Sequence, residues 1–190
     1  MDAYLKISEL LGRIEGPNRV ICEKIFEDHR ELFQLVPGSS HNHQAWPGGY
    51  QDHVQEAMNI AVHFYNALHS IRPLPFSLSD ALLILFLHDI EKPWKYEMGE
   101  DRKLRIIPSL KEKSEQRAFR ERKLEEYGIV LTPDQGNAMK YVEGEFTDYT
   151  SQKRIMNPLA AFCHIADTVS ARIWFDHPAK APWNAERVRD

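Results

Sequence analysis

Apolar residues along this chain recur mostly at helical spacing, and glycine and proline mark where each run stops. Leu5, Leu10, Leu11 and Ile14 outline a short first helix closed by Gly16-Pro17. Pro17 suits the first turn of a second helix, where its missing N–H costs nothing. Val20, Ile21, Ile25, Phe26, Leu32 and Phe33 carry that helix to Pro37-Gly38. A polar loop follows, with His41, His43 and Trp46 ahead of Pro47-Gly48-Gly49. Val54, Ala57, Met58, Ala61, Val62 and Tyr65 predict a helix over 50–68. The next run, Ala81-Leu82-Leu83-Ile84-Leu85-Phe86-Leu87, is purely apolar. Ser77 or Ser79 can cap it, and Pro93 interrupts the chain beyond it.

Farther on, only 104–107 has the look of a strand. The dense, mixed charges of 111–127 predict a solvent-exposed helix that stops at Gly128. Thr132-Pro133-Asp134 opens another helix to about 142, with Gly144 beyond its end. A last one begins at Asn157-Pro158 and runs through Leu159, Phe162, Ile165, Val169, Ile173 and Trp174. The pattern is all-α. It predicts one domain over 1–178, with a protruding charged insertion at about 99–150 and a frayed tail over 179–190.

Composition narrows the class. A chain of 190 residues that is 43% hydrophobic and 27% charged has enough apolar material for one sizeable core. A net charge of -4 argues against a general nucleic-acid coat protein. No apolar run approaches the roughly 20 residues that span a bilayer, so no membrane association is expected. Cys22 and Cys163 are too few and too dispersed for a disulfide framework, and Met1-Asp2-Ala3-Tyr4 lacks a signal-peptide layout. A cytoplasmic setting is the expectation.

The chemistry gathers at His88-Asp89, directly after the apolar run. Burying an ionised carboxylate is costly unless it is paired or bound to a metal. A histidine and a helix-end aspartate can also simply hydrogen-bond to backbone. His53, in the first turn of the helix after Gly48-Gly49, and Asp167, amid Phe162, Ile165, Ala166 and Val169, supply two more candidate ligands. A His–His–Asp–Asp set suits one divalent ion among Mn, Fe, Co, Ni, Mg and Zn.

The order His53, His88-Asp89, Asp167 resembles the HD-domain superfamily of metal-dependent phosphohydrolases. Leu85-Phe86-Leu87-His88-Asp89-Ile90-Glu91-Lys92 is similar to its apolar-run, His-Asp-Ile-x-Lys signature. Pro47-Gly48-Gly49-Tyr50-Gln51-Asp52-His53 resembles the Gly-Gly-x-x-x-His entry of some phosphodiesterase-like branches, and His164-Ile165-Ala166-Asp167 its closing helix. The likeness covers about 20–175 and leaves 99–150 unmatched. It implies that His53, His88, Asp89 and Asp167 bind the metal, which lowers the pKa of water and polarises a phosphoryl oxygen. Lys92, one turn past the pair, is placed to meet a phosphate oxygen, or is a lysine favoured by a helix end. Glu91 departs from the signature, where a small residue is usual.

Several side chains stay open at this stage. His41 and His43 are solvated loop residues, second-metal ligands or proton donors; His164 supports Asp167 or packs in the core. Arg102, Lys103, Arg105, Lys111 and Lys113 steer an anion or form a solvated face, the latter favoured by the acidic residues among them. Trp46, Trp94 and Tyr96 stack on a base or cover the core. His29 and His177 read as surface positions, and His63 and His69 lie too far along their helix to join the site. The expectation is a hydrolase with catalytic Asp89 and Lys92, acting on a phosphomonoester or phosphodiester. Its substrate is a nucleotide, another small phosphate ester or a short nucleic-acid end. The alternative is a non-catalytic nucleotide-binding or regulatory module.

Overall fold

The computed structural model describes residues 4–176. His177 and the expected tail over 179–190 lie outside them.

The fold is all-α, organised around one central helix. Helices α1 (Ile7–Leu11), α2 (Asn18–Asp28), α3 (Arg30–Leu35) and α4 (Gly49–Ile71) come first. They are followed by α5 (Leu78–Leu87) and the short α6 (Lys92–Lys95). Helix α4 is buried on every side from Gly49 to Val62 and packs against α1, α3, α5 and α9 (Pro158–Thr168). That explains its composition. Its apolar positions meet the core, while Gln51, Asp52, His53, Gln55, Glu56 and Asn59 are equally buried and therefore need polar partners. Helix α5 is apolar all round because it lies inside the bundle, with Ala81 to Leu87 fully enclosed. Phe33 ties the layers together, its ring 5.3 Å from Phe26, 4.8 Å from Tyr50 and 6.0 Å from Phe86.

The helix starts follow sequence chemistry. The Ser77 hydroxyl accepts from the Asp80 N–H, and the Asp80 carboxylate accepts from the Ser77 N–H in return. Thr132 and Gln135 repeat this at α8 (Pro133–Tyr141), and the Asn157 side chain caps α9 ahead of Pro158. Gly128, at φ 74°, ends α7 (Lys113–Tyr127) in a left-handed turn.

Five expectations need correction. The helix expected over 17–37 breaks at His29, whose φ of -123° and ψ of 17° end α2 and start α3. His29 is not a plain surface residue: it is half-buried, hydrogen-bonded to the Tyr127 hydroxyl and packed edge-on to Trp94. Strand β2 (Leu104–Ile106) pairs antiparallel with β1 (Tyr96–Met98), which the pattern did not announce. The 99–150 stretch does not simply protrude. Ala138 and Val142 are fully buried, and α8 packs against α5 and α9, so its second half belongs to the core. The last helix also changes pitch: α9 passes at Val169 into a π turn over Val169–Ile173.

Among the described residues, no helix is long and apolar enough to cross a membrane.

Candidate metal centre

His53, His88 and Asp167 converge from α4, the end of α5 and α9. One ligand atom from each lies within 4.8 Å of the others, a group that could hold a metal ion. The two imidazole Nε2 atoms are 3.4 Å apart. Asp167 Oδ1 lies 3.1 Å from His53 Nε2 and 3.5 Å from His88 Nε2. Asp89 stands beside this group, its Oδ2 3.3 Å from His88 Nε2 and 3.8 Å from His53 Nε2. That oxygen is 2.5 Å from Lys92 Nζ, an ion pair across one helical turn. All four expected ligands and Lys92 are thus brought together.

Surrounding groups fix which way each ring faces. His88 Nδ1 lies 2.8 Å from the Leu85 carbonyl, which can only accept, so this nitrogen carries a proton. His53 Nδ1 lies 3.0 Å from the Ser170 hydroxyl, and that hydroxyl donates to Glu56 Oε2 at 2.6 Å. The hydroxyl has one proton and gives it to the carboxylate, so His53 Nδ1 donates. Gln44 extends the chain: its Nε2 donates to Glu56 Oε2 at 3.0 Å, leaving its Oε1 to accept from His43 Nδ1 at 2.8 Å. His53 and His88 therefore both turn Nε2 into the same small space, beside two carboxylates, and each offers a lone pair there when neutral. Asp89 is already paired with Lys92, while His53, His88 and Asp167 form a group that a shared cation could satisfy.

Electrostatics agree. Burial keeps His53 below the usual imidazole range. Burial also disfavours charge on His88, but Asp89 and Asp167 overcome it and, with no metal between them, raise its pKa to about 10. Asp167 is held well below the carboxylate range despite burial, chiefly by the His53 imidazole and then that of His88, both of which face it. Asp89 is held low chiefly by Lys92, and Lys92 is held high chiefly by Asp89, in both cases against burial. A proton on His88 is the weak substitute for a metal.

The chain conformation depends on two glycines. Gly48 sits at φ 76° before α4, and a Cβ on Gly49 would fall 1.7 Å from the Gln44 carbonyl oxygen. This close approach puts Gln44, fully buried, within reach of Glu56 and Ser170.

The centre opens into a cavity of about 660 Å³. One wall is the loop over 38–43, including His41 and His43; another is Lys113, Gln116, Arg117, Glu143 and Phe146 from the stretch that resembled nothing. Lys92, Lys95, Tyr96 and Arg172 also line it. The His43 ring packs 4.7 Å from that of His53, and burial with His53 and Lys92 nearby pushes its pKa down to about 3. It is therefore neutral at pH 7. His164 faces the cavity too, its Nδ1 donating to the Val142 carbonyl at 2.7 Å. Glu91 is 3% exposed, and burial, then Asp89, raises its carboxyl to about 7. The nearest cation to its Oε2 is Arg120, at 3.8 Å, which also approaches Glu143 at 3.5 Å.

Other candidates fall elsewhere. Arg105 pairs with Asp101 on the surface, and of the five basic residues considered for steering only Lys113 reaches the cavity. Trp94 packs between His29 and Phe119 under the Lys123 ammonium, a core role. Trp46 donates to Asp52 at the start of α4. The sequence pattern missed Gln44, Glu56 and Ser170. The signal was present for two of them: Glu56 follows His53 by one turn on an apolar helix, and Ser170 follows Asp167 by one turn.

Compared with family models, curated proteins and solved structures, the chain matches none.

Proposed function

We propose that the protein is a metal-dependent phosphohydrolase of the HD type, cleaving a phosphomonoester or phosphodiester of a nucleotide, a related small ester or a short nucleic-acid end. The observation that carries this reading is the pair of Nε2 atoms 3.4 Å apart, each turned inward by a donated Nδ1 proton, next to Asp167 and Asp89 at the floor of a cavity that Lys92, Lys95, Lys113, Arg117 and Arg172 also line. His53, His88 and Asp167 would hold one divalent ion, Mn, Fe, Co, Ni, Mg or Zn, with Asp89 as fourth ligand. Such an ion supplies Lewis acidity, lowering the pKa of water and drawing charge from a phosphoryl oxygen.

The remaining steps belong to the chain. Lys92 stays charged beside Asp89 and can turn one of its protons to a phosphate oxygen as negative charge grows there. Lys95 is lowered by burial and by the ammonium groups of Lys92 and Lys113. An anionic substrate in the cavity would offset the effect of Lys92 and Lys113 on Lys95. Glu56, through Ser170, holds the His53 ring in the orientation a metal needs. Asp89 and Lys92 are the residues in catalytic roles.

The test is a matrix of metals against substrates, from a chromogenic phosphodiester to nucleoside monophosphates and triphosphates. Turnover that requires a divalent metal and disappears in Asp89→Ala and His88→Ala is the expected result. Nucleotides that raise the melting temperature while none is consumed under any metal would make the protein a binding module instead.

A further inference from the structure

Phe146 stands in a conformation that its residue type resists. Its φ is 45°, in the left-handed region that a bulky side chain seldom enters, and the preceding Gly144 sits at φ 113°. The segment is nonetheless pinned on both sides. Glu145 Oε1 accepts from the Met156 N–H at 3.2 Å, and Asp148 is held by the Tyr141 hydroxyl at 3.0 Å and by Lys140 at 2.7 Å. What the strained turn achieves is unusual for a hydrophobe: the Phe146 ring is 61% exposed and lines the cavity. Arg117, also on the cavity wall, lays its guanidinium 5.6 Å from the centre of that ring. The same segment adjoins the centre, since Gly144 lies against His164, one turn before Asp167.

An exposed aromatic ring braced by an arginine, at the wall of a lysine-rich cavity, has one chemistry to offer an anionic ligand: a flat, sequence-tolerant stacking surface for a nucleobase. The cavity, at about 660 Å³, lies within the range of small-molecule sites. We infer that Phe146, braced by Arg117, forms a base-stacking subsite that makes the protein prefer phosphate esters bearing a nucleobase over the same esters without one. The inference rests on the phosphoester reading of the cavity, and it assigns a specificity role to a stretch of chain that the metal centre itself does not use.

Calorimetric titration of the Mn²⁺-treated protein with adenosine 5′-monophosphate and with ribose 5-phosphate tests it, alongside Phe146→Ala and Phe146→Gly. The wild type should bind the nucleotide about fivefold to a hundredfold more tightly than the sugar phosphate. Phe146→Ala should reduce that ratio to about twofold or less while leaving the ribose 5-phosphate affinity unchanged. Phe146→Gly should also lose the preference, yet melt no lower than wild type because glycine accepts the left-handed turn. Equal binding of the two ligands, binding of neither, or a preference that survives Phe146→Ala overturns the subsite. Hydrolysis, followed separately, distinguishes the two claims. Ester cleavage without base preference removes the subsite alone, whereas base preference without cleavage of any ester removes the phosphohydrolase reading alone.

Discussion

The protonation pattern around two histidines decides what this centre can do. His88 donates from Nδ1 to a backbone carbonyl and His53 donates from Nδ1 to Ser170, so each turns its Nε2 inward. Glu56 enforces the second of these. Glu56→Gln keeps the volume but makes the carboxylate a neutral amide, and it should weaken metal affinity about 10- to 100-fold with little change in secondary structure. Isothermal titration with Mn²⁺ against far-UV circular dichroism checks both halves. The metal-free state has its own signature in pH. His88 is raised from 6.5 to about 10 on folding, so its contribution is fully present below pH 6.5 and is lost as pH rises through 10. The melting-temperature gap between chelated wild type and chelated His88→Gln should therefore be widest near pH 6.5 and narrow toward 10. A gap that widens with pH would show that the carboxylates do not hold a proton there.

At the scale of elements, the centre depends on how α4 begins and how α5 ends. Adding a methyl at Gly49 drives it into the Gln44 carbonyl, so Gly49→Ala forces the loop over 38–48 away from α4. It should cost about 1–3 kcal/mol, roughly 2–12 °C in melting temperature, and weaken metal binding as Gln44 leaves Glu56. Ser77→Ala, at the far end of α5, removes a cap worth about 1 kcal/mol and should leave metal affinity unchanged. Most of the elements were legible because their signals are local. Ser77, Thr132, Asn157, Gly128 and the apolar run of α5 each mark a boundary through their own chemistry. The break at His29 was not legible because its partner Tyr127 lies far along the chain, and the strand over Tyr96–Met98 was not because three residues in a tight hairpin with Leu104–Ile106 are too few to show a pattern.

At the scale of the whole molecule, the candidate ligands stood out in the sequence because an ionisable residue on an apolar helix face is conspicuous. His53, His88 and Asp89 are indeed buried, and Asp167 is half-buried beside them. The cavity was not readable. Its walls bring the loop over 38–43 together with Lys113, Arg117 and Phe146, residues seventy or more positions away whose local pattern suggests only a solvated face. The core role of α8 was hidden for the same reason: Ala138 and Val142 look ordinary until α5 and α9 enclose them. If one ion binds all three chain segments, it must also stabilise the fold. A metal at a hundred times its dissociation constant adds about 2.7 kcal/mol, and wild type should gain roughly 5–11 °C while Asp167→Ala gains almost nothing.

The most direct measurement is the metal content of protein purified without a histidine tag, by elemental mass spectrometry after dialysis against trace divalent ions. Three side chains from three helices sharing one cation predict close to one equivalent per chain in wild type, and less than about a tenth of that in His88→Ala and Asp167→Ala. A wild type that retains no more metal than those two variants would contradict the account.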